Sequence, residues 1–344
     1  MKGSQILIDT LAGRPAAALM RDGQLDDLLI DPPDDVPRPG AIYRARVDRP
    51  MKGLGGRMLS IPGGSAFARQ GQDLAAGASV LVQVTGYAEP GKAVPVTLKV
   101  LFKSRYCIVT PGAPGINLSR SIKDEDARAR LRSVLDEFEF PEGVGVILRS
   151  AAQTAEDDAV ADDLADTLDM ALQVSGATKG GPELLLDGPS PDLLAWRDWS
   201  DVAASDVILE PGCFDTHGAA EAIDELRQPR VALPGGGHMY VEPTRALVAV
   251  DVNTGNDTSL AAGLKTNIAA IRELPRALRL LGLGGQIVID FAPMAKKDRR
   301  SFEQTIRTAL RTCPVETALV GWTPLGHFEL SRKRERLPIS VTLS

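Results

Sequence analysis

The chain has 344 residues, 44% apolar and 24% charged, with 39 Lys and Arg set against 45 Asp and Glu for a formal net charge of −6. This is ordinary globular composition, long enough for more than one core, and it excludes collagen-like and low-complexity chains. No apolar run is long enough to span a bilayer, and the opening Met1-Lys-Gly-Ser-Gln-Ile-Leu-Ile-Asp9 is too short for a secretory signal, so no membrane partner and a cytoplasmic location are expected.

From the N-terminus, Ile6-Leu-Ile-Asp9 and Ala17-Ala-Leu-Met-Arg-Asp22-Gly23 read as a short hairpin within residues 1–35, with Asp22-Gly23 as the turn signal. Over 36–104, β-rich runs are broken by Gly and Pro: Ala41–Val47, Gly56–Ile61, Ser79–Val84 and Val94–Val100. Short strands at that spacing predict a small barrel. Further on, Glu156, Asp157, Asp158, Asp162, Asp163, Asp166 and Asp169 load acid onto one predicted helix whose apolar side uses Val160, Leu164, Leu168 and Leu172. That helix reads as a solvated face. Gly235-Gly-Gly237 lacks the Lys-Ser/Thr of a phosphate-binding loop and predicts a hairpin turn.

Two apolar runs then end in aspartate: Ala246-Leu-Val-Ala-Val-Asp251-Val-Asn253-Thr-Gly255 and Gly285-Gln-Ile-Val-Ile-Asp290-Phe291. Near-continuous apolar runs predict strands buried on both faces, with each charge emerging where the sheet meets solvent. Between them Leu264, Ile268, Ile271, Leu274, Leu278 and Leu281 recur at helical spacing, and Gly282 to Gly285 stop the helix. Pro275 inside that stripe predicts a kink or two shorter helices. In a strand–helix–strand unit of one sheet the strands run parallel, and Asp251 and Asp290 converge at one edge. Paired carboxylates suit a hard divalent ion and phosphodiester chemistry. Taken alone, each Asp is more readily a helix cap or loop anchor than a catalytic group.

The residue detail goes further. Val-Ala-Val-Asp251-Val-Asn253-Thr-Gly, Leu-Lys265-Thr-Asn267 and Leu-Gly-Gly-Gln-Ile-Val-Ile-Asp290-Phe resemble the catalytic segment of the ribonuclease E/G family. Arg105-Tyr-Cys-Ile-Val-Thr-Pro111, Ile116-Asn-Leu-Ser119-Arg120, Pro141 to Ser150 and Gly326-His-Phe-Glu329-Leu-Ser331-Arg332-Lys-Arg334 are similar to further family segments, in family order. The resemblance implies an α/β and β multidomain chain. Residues 1–35 and 205–230 form a reduced RNase H-like subdomain, 36–104 an inserted OB-type barrel, 105–204 a 5′-sensor-like α/β region and 231–344 a DNase I-like α/β catalytic domain.

It also implies roles. Asp251 and Asp290 hold Mg2+, Asn253 orients them, and the reaction is endonucleolytic cleavage of single-stranded RNA in processing or decay. Arg149 and Ser150 occupy the place of an Arg-Thr pair that recognises a 5′-monophosphate; a guanidinium and a hydroxyl suit phosphate oxygens. Phe67 and Lys92 take the barrel's RNA-contacting positions, while Met58 stands where another stacking aromatic is expected. Larger family members carry a Cys-x-x-Cys zinc link. Cys107, Cys213 and Cys313 are widely separated, so neither zinc nor a zinc-linked oligomer is expected, and the oligomeric state stays open. Two departures stand out: Asp257-Thr-Ser-Leu-Ala-Ala-Gly263 follows Asn253 without the paired acids of many relatives, and Ala292-Pro293 follows Asp290 where the family has another Asp.

A net negative chain must meet RNA locally. Lys296, Lys297, Arg299, Arg300, Arg307 and Arg311, with Arg332, Lys333, Arg334 and Arg336, make the C-terminal stretch basic beside the proposed metal site. Lys296, Arg299, Arg300 and Arg332 are the expected RNA contacts; a helix kept in solution by its charges reads equally well there. His217, His238 and His327 are scattered and given no role. Two further readings remain: an RNA-binding protein with weakened catalysis, and a metal phosphoesterase acting on a small nucleotide.

Overall fold

The computed structural model describes residues 3–51, 55–71, 73–257 and 259–343. The chain divides into two compact units, residues 1–31 with 206–344, and residues 32–205.

The first unit opens with three strands rather than one hairpin: β1 (Ser4–Leu11), β2 (Arg14–Arg21) and β3 (Gln24–Ile30). Both connections place two successive residues at positive φ, Ala12 (49°) with Gly13 (76°) and Asp22 (50°) with Gly23 (79°). That is the turn whose twist matches paired strands, and Asp22 Oδ1 fastens it by accepting from the Gly3 amide at 3.0 Å. The Ala12-Gly13 turn escaped the sequence reading because alanine is a poor signal for a left-handed turn.

The second unit follows. β4 (Ile42–Met51), β5 (Gly56–Ile61), β6 (Gly64–Ala68), β7 (Ser79–Val84) and β8 (Val94–Thr97) pair in the order β4-β5-β6-β8-β7, and β7 returns to β4, closing the expected barrel. Only β6 and β8 run parallel. Tyr43, Val47, Leu59, Ile61, Val82 and Val84 fill it. Beyond it, β9 (Phe102–Lys103), β10 (Cys107–Pro111), β11 (Gly115–Leu118) and β12 (Val144–Leu148) form a sheet ordered β11-β12-β10-β9. Helices α1 (Glu125–Asp136) and α2 (Asp157–Gly176) cover it through Leu131, Leu135, Val160 and Leu164. On α2 Asp157, Asp158, Asp162, Asp166 and Asp169 face solvent as expected, but Asp163 is half-buried and accepts from Ser104 Oγ and the Tyr106 amide (3.0 Å); Ala171 rather than Leu172 continues the buried stripe, and Leu172 is exposed. β13 (Glu183–Leu186) adds to β4, and α3 (Pro191–Asp198) ends the unit.

The chain then re-enters the first unit. β14 (Val207–Ile208) pairs parallel with β1, and α4 (Cys213–Thr216) and α5 (Ala219–Glu225) pack beneath. The remaining strands are β15 (Arg230–Ala232), β16 (His238–Pro243), β17 (Val248–Asn253), β18 (Gly285–Asp290), β19 (Thr317–Trp322) and β20 (Phe328–Arg332). Their order is β15-β16-β17-β18-β20-β19, with the Gly235 turn joining β15 to β16 as expected. Helices α6 (Leu260–Leu280) and α7 (Arg299–Arg311) flank the sheet, and α8 (Ile339–Thr342) closes the chain.

Two expectations are corrected here. The sheet is not buried on both faces: Val248, Val250, Val252, Ile287 and Ile289 are buried while Asp251, Gln286 and Asp290 are exposed, so one side is core and the other open. Ala249 and Val288 made the runs look continuous, but they are half-buried residues of the open side. And α6 runs unbroken through Pro275. Pro275 is itself buried beside Ile271, Leu274 and Leu278, so apolar burial along that face offsets the lost backbone bond.

Candidate active site

β17 and β18 are the one parallel pair in their sheet, with α6 as the crossover, and their register sets Asp251 directly opposite Asp290. Alternation then decides what joins them. Asn253, two residues on, shares the open face, and its Nδ2 donates to Asp251 Oδ2 at 2.8 Å. Across from β17, Tyr240 pairs with Asp251 and His238 with Asn253, and the two rings meet edge to face at 5.3 Å. On the other side His327 precedes β20 and brings Nε2 to 3.9 Å from Asp290 Oδ1. Sequence reasoning gave none of the histidines a role and did not single out Tyr240. Only strand register, which a single sequence does not display, sets Tyr240, His238 and His327 beside the aspartates.

The segment after Asp290 is held from two sides. Asn267 on α6 is fully buried; its Nδ2 donates to the Ala292 carbonyl at 2.9 Å and its Oδ1 accepts from the Ala292 amide at 3.0 Å. One turn earlier Gly263 lies so close that a Cβ there would collide with the Pro293 carbonyl oxygen. Phe291 turns inward against Phe302 (4.8 Å), Trp322 (5.9 Å) and Phe328 (6.4 Å). Asp290 therefore projects from an anchored backbone.

The donor chemistry fits a hard divalent ion in part. Two carboxylates share one rung of an open face, and Asn253 turns one of them. Among the described residues no group of three or more His, Cys, Asp or Glu side chains gathers for a metal, so water and phosphate oxygens would complete the sphere of an ion such as magnesium.

The expected RNA contacts divide. Lys296 and Arg300 are exposed, and Arg299 is half-buried with its guanidinium 4.5 Å over the Trp322 ring. Arg332 is not a surface cation: it is 3% exposed and directs both Nη atoms at Cys313 Sγ (3.5 and 3.4 Å) and Nη1 at Thr317 Oγ1 (2.9 Å). On β20 it alternates with Ser331, which faces out, so strand parity takes it inward.

In the second unit Arg149 is already engaged. Its Nη1 donates to the carbonyls of Ser104 (2.6 Å) and Arg197 (3.2 Å), and its Nη2 to Asp198 Oδ1 (2.9 Å). Burial pushes the Asp198 carboxyl up, but Arg197 and Arg149 outweigh it and hold it below the usual carboxylate range. Ser150 beside it is exposed. Arg105 stacks on Trp196 at 3.7 Å. In the barrel Phe67 pairs across β5 and β6 with Met58, and its ring covers Gly56. Lys92 is exposed, with Glu89 Oε2 at 2.8 Å.

Comparison with known proteins agrees in a single direction. A family model described as the Ribonuclease E/G family matches residues 102–212 and 201–335. The chain is 30% identical to Ribonuclease E of a Synechocystis species over 298 residues, covering 74% of this chain and 44% of that protein. It is 29% identical to Ribonuclease G of Salmonella typhimurium over 320 residues (81% and 63%), and 25% identical to Ribonuclease G of Haemophilus influenzae over 402 residues (98% and 80%). It thus spans less than two thirds of the length of the first two.

Proposed function

The chain belongs to the ribonuclease E/G family, and from that premise we propose that it is a metal-dependent endoribonuclease that cuts single-stranded RNA in processing or decay. The observation that carries the reading is the shared rung: Asp251 and Asp290 face each other on parallel strands with Asn253 hydrogen-bonded to Asp251. Asp251 and Asp290 would hold the ion, Mg2+ by its match to carboxylate oxygens, and the bound ion supplies a water of lowered pKa and offsets charge on the phosphate. The rest is done by side chains. Asn253 fixes the direction of the Asp251 carboxylate, Tyr240 and His238 offer ring faces to a base, and Lys296, Arg299 and Arg300 attract the backbone. The anchored segment from Phe291 to Pro293 keeps Asp290 from turning away.

The finer assignments rest on the same family membership. The barrel, with its β4-β5-β6-β8-β7 order, is read as an OB-type module that tracks single strands with Phe67 and Lys92. Residues 105–204 are read as a 5′-sensor, the sheet of β15 to β20 as a DNase I-like catalytic domain, and β1–β3 with β14 as a reduced RNase H-like subdomain. A 5′-monophosphate reaching Arg149 and Ser150 would compete with Asp198 for the guanidinium. Three cysteines without a disulfide suit a reducing compartment such as the cytoplasm.

The test is cleavage of a 5′-monophosphorylated single-stranded RNA with magnesium by wild type, Asp251→Asn and Asp290→Asn. We expect cleavage by wild type and a loss of several orders of magnitude in both variants. Cleavage by the variants at the wild-type rate sinks the reading. The occupied Arg149 favours a second one, an RNA-binding member with weakened catalysis; RNA retained without cleavage by wild type would support it. Hydrolysis of small phosphodiesters but not of RNA would point instead to a nucleotide phosphoesterase.

A further inference from the structure

The three cysteines occupy different electrostatic settings. Cys107 and Cys213 are buried, and burial pushes each thiol up to about 11. Cys313 lies between α7 and β19, partly exposed, and its sulfur sits 3.4 and 3.5 Å from the two Nη atoms of Arg332 and 3.6 Å from Arg279 Nη1.

The charges around it do not close without the sulfur. Arg336, which follows β20, is met by Asp27 on β3, at 2.9 Å between Nη2 and Oδ2. Arg279 on α6 reaches Asp26 Oδ1 at 3.4 Å and Asp27 Oδ1 at 3.6 Å. Among the described residues no carboxylate comes within ion-pair distance of Arg332: its side-chain partners are Cys313 Sγ and Thr317 Oγ1, and its buried Nε has no hydrogen-bond partner there. A guanidinium 3% exposed requires a counter-charge, since an unpaired buried ion costs several kcal/mol. Both of its Nη atoms point at the Cys313 sulfur, an atom able to become an anion, while Glu335 in the same pocket is engaged by Lys333 at 3.0 Å.

We propose that Cys313 is held as a thiolate, the counter-ion of Arg332, and is the site at which this protein reacts with hydroperoxides and soft electrophiles. With hydrogen peroxide the sulfur attacks one oxygen: an S–O bond forms, the O–O bond breaks, and hydroxide leaves and takes a proton to become water. The sulfur is oxidised by two electrons to a sulfenic acid, and the peroxide is reduced by the same two. Burial of the thiol is outweighed by the Arg332 charge and hydrogen bonds, with Arg279 adding to them, so the acidity of the group runs in the required direction.

The test uses the whole chain. Native protein is treated with limiting iodoacetamide, or with hydrogen peroxide and a sulfenic-acid trap, and each cysteine peptide is quantified by mass spectrometry. Separately, thiolate ultraviolet absorbance is followed with pH against Cys313→Ser as the blank, which needs no change to any arginine. We expect Cys313 to be labelled about tenfold faster than Cys107 and Cys213, with its absorbance persisting below the ordinary thiol range. Labelling of all three at equal rates, or an absorbance midpoint at or above that range, overturns the proposal. As a further check, Arg279→Lys should move the midpoint only slightly, since Arg332 carries the larger share of the field.

Discussion

At Asn253 one amide decides where a carboxylate points. Replacing it with Ala leaves Asp251 in place without its 2.8 Å bond, so we expect cleavage to fall about 10–100-fold with the fold unchanged, read by steady-state rates and circular dichroism. Asp27 does the reverse work, inside the protein. Burial pushes its carboxyl up, yet Arg336 and Arg279 outweigh this and hold it below its ordinary 3.8. A depressed folded pKa contributes stability above the unfolded value and loses it as pH falls through the folded one. Thermal stability should therefore hold near neutrality and decline below about pH 4. Asp27→Asn, which removes the anion that the half-buried Arg336 meets, should cost about 3 kcal/mol at pH 7 in a denaturant titration. Asp251 and Asp290 were readable as strand-end acids because local apolar runs announce them; Asn253 entered only through the family resemblance. Asp27, His327 and Arg332 were not legible, because their partners lie on other elements that only the tertiary fold brings beside them.

The strand–helix–strand element carries the site, and most of it was readable. The helical stripe, its stop at Gly282 and the parallel strands all follow from spacing. What spacing misjudged was burial, since small residues on an open face look like a core strand, and Pro275, whose local cost is outweighed by tertiary packing. Asn267 was quoted in a motif but its work was invisible: it ties α6 to Ala292 through both amide atoms. Asn267→Ala leaves the Ala292 amide buried and unpaired. We expect a loss of about 1–3 kcal/mol together with a fall in cleavage rate while RNA affinity holds, measured by melting, kinetics and filter binding. Activity retained at full rate would mean that the segment needs no such tie.

At the scale of the molecule the first unit is discontinuous, built from residues 1–31 and 206–344. Family resemblance joined residues 1–35 to 205–230 and set 231–344 apart, whereas the compact unit takes in 206–344 as a whole; periodicity alone has no means of saying so. The N-terminal strands are integral to it. β1 is the partner of β14, Met20, Leu25 and Leu28 lie in the same core as Val250 and Ile289, and Arg276 on α6 donates Nε to the Leu25 carbonyl at 2.7 Å. Removing residues 1–31 should accordingly unfold the sheet of β15 to β20 rather than trim a tail. Near-ultraviolet circular dichroism of the truncated chain would report it, with loss of the signal from Trp322 and its ring neighbours. A truncated chain that keeps that signal and cleaves RNA would refute the expectation.

Because Asp251 and Asp290 share a rung on an alternating sheet, the gene tolerates changes of length there unequally. One codon gained or lost within either strand swings a carboxylate from the open face into the layer held by Val250, Ile289 and Phe302, where nothing neutralises it. Two codons restore the facing but slide the group along by about 7 Å. Open-face side chains such as Ala249 and Val288 are free to drift, while the reading length of the two strands is not.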